Sequence, residues 1–172
     1  MMKRIFLTLL FLFLSPFPVI AESPFGSLKR SDLFLLPIKI NVSTNKTFVS
    51  QGEKFKFHLS ILIDKGWHIY SLKLFQGSES LTTQILMDKN NFQEQSKWKG
   101  PDPILIKDQA LGKIVKGYKG NIVFSKTYQV PINLAPQVYS LDGNLVFRAC
   151  DNKICTLPRK FPFKTVIEVS AN

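Results

Sequence analysis

The chain has 172 residues, of which 45% are hydrophobic and 15 are phenylalanine. This length and composition suit one domain with a packed core and exclude an intrinsically disordered chain. Lys and Arg number 23 against 12 Asp and Glu, which gives a formal net charge of +11. The basic residues are spread along the chain and form no recognised nucleic-acid motif. We therefore predict a solvated basic surface that can steer acidic protein partners, and no nucleic-acid partner.

Residues 1–21 have the pattern of a signal peptide. Lys3 and Arg4 precede an apolar run at residues 5–14, and Ala21 ends the segment with a small side chain suited to cleavage. The run is too short for a permanent membrane span, and no later apolar stretch reaches that length. No cysteine lies near the cleavage point, so a lipid anchor is not expected. The sequence thus predicts an exported protein cleaved near Ala21.

The clearest sign of secondary structure is strict alternation over residues 53–63. The apolar side chains from Phe55 to Ile63 share one face, and polar side chains such as Lys54 share the other, which is typical of a half-buried strand. Similar but shorter runs occupy residues 36–42, 81–87, 121–132, 144–150 and 161–169. Turn signals separate the runs at residues 64–66, 100–103 and 142–143.

These patterns predict the fold class. Several short strands, proline-rich connections and the lack of an amphipathic helix or a βαβ rhythm indicate an all-β, antiparallel β-sandwich. We assign it to residues 34–172. Residues 22–33 show little periodicity and are predicted to form a flexible arm before the first strand.

Two cysteines, Cys150 and Cys155, are the chemically distinctive residues of the chain. In an oxidising compartment they can pair, provided that their Cα atoms come within about 7 Å. Closing a six-residue loop contributes about 2 kcal/mol, against about 5 kcal/mol for a 100-residue loop. The bond is therefore a weak staple, and its position hints at a pair that opens and closes. A purely structural disulfide remains the alternative on spacing alone.

Charged neighbours act on these cysteines in opposite directions. Four basic residues lie close in sequence and would stabilise a thiolate, whereas Asp151 would destabilise one. The four are Arg148, Lys153, Arg159 and Lys160. Sequence alone does not decide which influence is larger.

Three segments in order resemble the N-terminal periplasmic domain of the DsbD family of thiol:disulfide interchange proteins. The first is GWHIY at residues 66–70, and the second is Tyr-Lys-Gly at residues 118–120. The third is Ala-Cys at residues 149–150, followed by Cys155 and Pro158. The resemblance covers roughly residues 35–170. Two departures are Leu157, where the family often has proline, and Gly117, where some members have an aromatic that shields the disulfide.

The resemblance implies an immunoglobulin-like fold, a periplasmic location and a dithiol relay. A thioredoxin-like or membrane electron donor would reduce the pair, and a periplasmic disulfide isomerase or cytochrome-maturation thioredoxin would accept the electrons. By analogy, Cys155 attacks the target and Cys150 resolves the mixed disulfide. Tyr118 is expected to cap the sulfurs, alone or with Tyr70 and His68.

Other kinds of site have little support in the sequence. His68 could tune a cysteine pKa or carry a proton, but a histidine between Trp67 and Tyr70 is more often part of the packed structure. With His58 as the only other histidine and no His–Cys ligand spacing, we expect no metal, and no motif indicates a cofactor. The competing hypothesis is a redox-inert β-sandwich that binds another protein and carries a structural disulfide.

Overall fold

A computed structural model of the chain describes residues 36–73 and 82–171. All helices and strands assigned in those two ranges are β-strands, so the prediction of an all-β fold is confirmed. The strands are β1 Ile38–Thr44, β2 Phe48–Ser50, β3 Lys54–Ile63, β4 His68–Tyr70, β5 Gln84–Met87, β6 Gln93–Glu94, β7 Ile104–Asp108, β8 Lys113–Tyr118, β9 Asn121–Gln129, β10 Gln137–Phe147, β11 Ala149–Cys150 and β12 Arg159–Ser170. The predicted signal peptide and the predicted arm lie outside the described residues.

The strands form three four-stranded sheets. Their orders are β1-β3-β9-β6, β2-β12-β10-β5 and β11-β4-β8-β7. Neighbouring strands are antiparallel except for β2 and β12, which run parallel. The third sheet consists of short strands. It brings β4, the end of β7 and β11 together, and the residues around the two cysteines come from these strands.

The core is built by alternation along the long strands. In β3 the inward residues Phe55, Phe57, Leu59, Ile61 and Ile63 are all buried, as the sequence pattern predicts. The Phe57 ring lies 5.8 Å from that of Phe163 in β12, a contact that joins the first sheet to the second. The two sheets thus bury their inner faces against each other, and the fold is an immunoglobulin-like β-sandwich.

The turn predicted at residues 142–143 is wrong, because both residues lie in the middle of β10. Gly143 pairs with Met87 on one side and with Phe163 on the other. A Cβ atom added there would lie 2.6 Å from the Leu86 carbonyl oxygen and 2.7 Å from the Phe163 ring. The glycine therefore permits close packing inside a strand rather than a change of chain direction.

Two leucines of β3 test whether the sandwich core supplies the stability. Leu59→Ala should lower the free energy of unfolding by about 2–5 kcal/mol, because it leaves a cavity at a fully buried position. Leu62→Ala, at a side chain that is 47% exposed, should change it by no more than about 0.5 kcal/mol. Urea unfolding with the disulfide intact measures both. Equal effects would contradict the assignment of Leu59 to the buried face and of Leu62 to the exposed face of β3.

Candidate redox site

Cys150 and Cys155 form a disulfide, with their Cα atoms 4.0 Å apart. Cys150 lies in β11, opposite His68 of β4, and is completely buried. Cys155 stands just outside the strand and is partly exposed. The two residues therefore differ in exposure, and Cys155 is the more accessible of the pair.

The loop between the cysteines is held by hydrogen bonds as well as by the disulfide. The Asp151 carboxylate accepts hydrogen bonds from the backbone N–H groups of Lys153 and Ile154 at 2.6 and 2.7 Å. These bonds hold the pKa of Asp151 below its ordinary value. Beyond the loop, the Thr156 N–H donates to the Ala149 carbonyl at 2.8 Å. Hydrogen bonds thus hold the backbone around the sulfurs in addition to the sulfur–sulfur bond.

The Tyr70 hydroxyl is the polar group in contact with both sulfurs. Its oxygen lies 2.8 Å from Cys150 Sγ and 3.8 Å from Cys155 Sγ. It also donates a hydrogen bond of 2.6 Å to Asp108 Oδ2. Burial and the neighbouring Asp108 carboxylate raise the pKa of Tyr70 far above its usual value, so the phenol keeps its proton.

Asp108 is a buried carboxylate that no motif indicated. It ends β7, forty residues after His68, and it is 1% exposed. Oδ2 accepts from the Tyr70 hydroxyl and, at 3.2 Å, from His68 Nε2, whereas Oδ1 accepts from the Leu111 N–H at 2.9 Å. Burial works to raise the pKa of Asp108, but these hydrogen bonds outweigh it and hold the pKa below its ordinary value. The carboxylate is ionised at neutral pH.

The signal for Asp108 in the sequence is faint. It occupies the same face of its strand as Ile106, a position where alternation predicts an apolar residue. A charge at an apolar position of a strand is the pattern that could have marked it. Without the strand pairing, nothing connects it to the cysteines.

His68 is buried beneath the disulfide and hydrogen-bonded to Asp108. Its ring meets the Tyr70 ring edge to face at 5.6 Å. Burial lowers the pKa of His68 in spite of the carboxylate, so the imidazole is neutral at neutral pH. Since an ionised carboxylate only accepts, Nε2 carries the ring proton. The packed and hydrogen-bonded surroundings agree with the structural interpretation of this histidine.

Tyr118 lies on the core side of the third sheet. It pairs with Ile69 in β4, and its ring packs edge to face on Phe124 at 5.3 Å. Of the three predicted shielding residues, Tyr70 and His68 stand next to the disulfide, while a cap over the sulfurs by Tyr118 stays a prediction. Gly117 lies beside Tyr70, and a Cβ there would come within 2.4 Å of the Ile69 carbonyl oxygen. The glycine lets β8 approach β4 closely.

The surface around Cys155 is apolar and basic. Ile154 and Leu157 flank it in sequence, with side chains that are 61% and 73% exposed. Lys153 is exposed in the same loop, and the Asp151 carboxylate is hydrogen-bonded to backbone N–H groups of that loop. An exposed apolar patch beside a reachable sulfur is typical of a protein-binding site.

The sequence profile of the family described as "Thiol:disulfide interchange protein DsbD, N-terminal" matches residues 40–166. The chain belongs to this family. The matched range contains all twelve strands in whole or in part, and it contains both cysteines, Tyr70 and Asp108. No curated protein matches the chain. The described residues contain no helix long and apolar enough to cross a membrane.

Among solved structures, the likeness to one periplasmic domain agrees with the fold described above. The N-terminal periplasmic domain of ScsB from Proteus mirabilis matches with a TM-score of 0.51 and 19% identity, over 74% of this chain and 45% of that one. A type I cohesin of ScaB from Pseudobacteroides cellulosolvens matches with a TM-score of 0.45 and 13% identity, over 77% and 93% of the two chains. This chain spans less than half of the length of the ScsB domain, since the match covers 45% of it.

The Asp108 hydrogen bonds predict a pH dependence of stability. Because the folded-state pKa lies below the unfolded value of about 3.9, the carboxylate stabilises the fold above that pH, and the contribution is lost as pH falls through the folded-state pKa. Asp108→Asn should be less stable than wild type at pH 7 and lose less stability on acidification. Urea midpoints from pH 7 to pH 3 measure this. Asp102→Asn, at an exposed carboxyl, should keep the wild-type dependence; an unchanged dependence in Asp108→Asn would contradict the assignment.

Proposed function

We propose that this domain is a periplasmic protein-disulfide reductase module that accepts electrons from a thioredoxin-like or membrane donor and passes them to another periplasmic protein. The observation that carries the proposal is the asymmetry of the disulfide. Cys155 is partly exposed beside an apolar patch, and Cys150 is buried beside a proton-bearing network. Membership of the DsbD N-terminal family supports the class of reaction.

Electrons enter by attack on the exposed sulfur. A donor thiolate attacks Cys155 Sγ, the Cys155–Cys150 bond breaks, and Cys150 leaves as a thiolate that takes up a proton. The donor's second thiol then attacks the mixed disulfide and releases Cys155. The donor dithiol becomes a disulfide, and this domain gains two electrons and two protons.

Electrons leave by the same route in reverse. The Cys155 thiolate attacks the disulfide of the acceptor and forms a mixed disulfide, and Cys150 resolves it, so that the domain's own disulfide re-forms. Cys155 is the attacking thiol because it is the sulfur that a folded acceptor can approach. Cys150 needs no access to solvent, because its target is the neighbouring sulfur.

The buried network places a proton-bearing hydroxyl beside the resolving cysteine. The Asp108 carboxylate and Cys150 Sγ lie within 4.8 Å of each other. The Tyr70 hydroxyl touches both Cys150 Sγ and Asp108 Oδ2 and is placed to exchange a proton with the sulfur.

The acceptor recognises an apolar surface with a basic border. Ile154 and Leu157 project beside Cys155, and the chain as a whole carries a formal charge of +11. This surface suits a thioredoxin-like protein with an apolar rim around its own disulfide and an acidic periphery. Disulfide isomerases and cytochrome-maturation thioredoxins of the periplasm are the acceptors that the family suggests. The periplasmic description of the related ScsB domain supports the location.

Equilibration in glutathione buffers tests the relay against an inert staple. We expect a reduction potential above about −300 mV, ready exchange with a thioredoxin-like donor, and an unchanged β-sheet circular dichroism spectrum on reduction, because the loop keeps its hydrogen bonds. The thiol content of each mixture is read by alkylation and mass spectrometry. A potential below that value, together with no exchange, would leave only a structural disulfide.

Single-cysteine variants test the division of labour. Cys150→Ser keeps the accessible thiol and should accumulate a mixed disulfide with an oxidised thioredoxin-like acceptor. Cys155→Ser keeps only the buried thiol and should accumulate little. Non-reducing electrophoresis and mass spectrometry identify the adducts, and the paired variants control for each other. The opposite pattern would assign the attack to Cys150.

A further inference from the structure

Three groups that commonly bind metal ions meet at the disulfide. The ligand atoms of His68, Asp108 and Cys150 all lie within 4.8 Å of one another, and all three residues are buried. The sequence predicts no metal site, because it has only two histidines and no His–Cys ligand spacing. The three residues lie in three separate strands, β4, β7 and β11. Pairing of β4 with β11 and with β8, and of β8 with β7, brings them together.

Reduction would add a fourth donor. Cys155 Sγ is bonded to Cys150 Sγ in the oxidised protein and lies 3.8 Å from the Tyr70 hydroxyl at the centre of the group. Opening the bond supplies two thiols, one imidazole and one carboxylate. Two sulfurs with one nitrogen and one oxygen form a donor set that suits zinc in four-coordinate geometry.

We propose that the reduced form of the domain binds one Zn²⁺ ion between Cys150, Cys155, His68 and Asp108, and that formation of the disulfide abolishes this site. The oxidised form is then the metal-free state, and the reduced form is the state that can bind the metal. A bound ion would hold both thiolates as ligands and stop thiol–disulfide exchange until it leaves. The proposal rests on the proposed function only in requiring that the disulfide can open.

The charges of the surrounding groups favour the ion. A carboxylate binds a metal ion as the anion, an imidazole as the neutral ring and a thiol as the thiolate. The two thiols lose their protons when Zn²⁺ enters, so two positive charges leave as two arrive. The net charge of the buried site therefore does not change on binding, so metal entry adds no uncompensated charge to the interior.

The Tyr70 hydroxyl competes for the same space. Its oxygen lies 2.6 Å from Asp108 Oδ2 and 2.8 Å from Cys150 Sγ, between two of the ligands. Zinc must displace this hydroxyl to bring the ligands to bonding distance. Tyr70→Phe removes a competitor and no ligand, so it should bind zinc at least as tightly as wild type.

Zinc titration of the chemically reduced protein tests the site. The purified protein is reduced with a phosphine, which needs no protein donor, and titrated anaerobically with Zn²⁺ against a chromophoric chelator. We expect one equivalent to bind to the reduced form and none to the oxidised form. Because the phosphine opens the disulfide directly, failure of exchange with thioredoxin-like proteins would disprove the relay without affecting this measurement.

Matched variants separate the full site from chelation by the dithiol alone. His68→Gln and Asp108→Asn should each weaken zinc binding by at least about ten-fold. His58→Gln, which changes the other histidine, and Asp102→Asn, at an exposed carboxyl, should bind as wild type. Wild-type affinity in both site variants, or weaker binding in Tyr70→Phe, would overturn the proposed ligand set.

Cobalt provides a test that needs no substitution in the core. Co²⁺ bound to the reduced wild-type protein should show sulfur-to-metal charge-transfer bands and the intense visible bands of four-coordinate geometry. Weak bands of six-coordinate Co²⁺ would overturn the proposal. This measurement decides the matter even if a substitution at His68 or Asp108 prevents folding, which circular dichroism of the oxidised variants reports.

Discussion

A charged carboxylate buried next to a disulfide is the constraint on which this site depends. Asp108 is tolerable there because the Tyr70 hydroxyl, the His68 ring and the Leu111 N–H all donate to it. Those donors come from β4 and from the turn after β7, so the third sheet must form before the site exists. The same hydroxyl that satisfies the carboxylate also touches the sulfurs. The Tyr70 hydroxyl thus stabilises the buried carboxylate of the sheet and also contacts the cysteines.

The sandwich supplies the hydrophobic core of the domain, and a short loop carries the disulfide. The core is supplied by long strands such as β3 and β12, whose inner faces meet through Phe57 and Phe163. The disulfide closes a loop of only six residues, and the Asp151 and Thr156 hydrogen bonds hold that loop as well. Breaking the sulfur–sulfur bond therefore removes little of the folding free energy. The proposed relay has this requirement, because its disulfide opens in each cycle.

The proposed relay and the proposed zinc site share Cys150, Cys155 and Asp108 and use them in different ways. In the oxidised state the sulfurs are bonded to each other and offer no thiolate. In the reduced state they face a neutral imidazole and an ionised carboxylate. The outcome then depends on whether an ion or a partner's disulfide arrives first. The burial that makes Cys150 a poor target for chance reactions also makes the group a suitable metal pocket.

The sequence alone determined the alternating strands, the pairing of two close cysteines and the family, because each is a local pattern. It failed at residues 142–143, where Gly143 allows close packing in β10 instead of a turn. It also gave only a faint sign of Asp108, whose carboxylate joins Tyr70 and His68 across some forty residues of chain. Only the tertiary structure decided these points. Strand pairing sets which distant residues meet, and burial next to those residues sets the charge that each group carries.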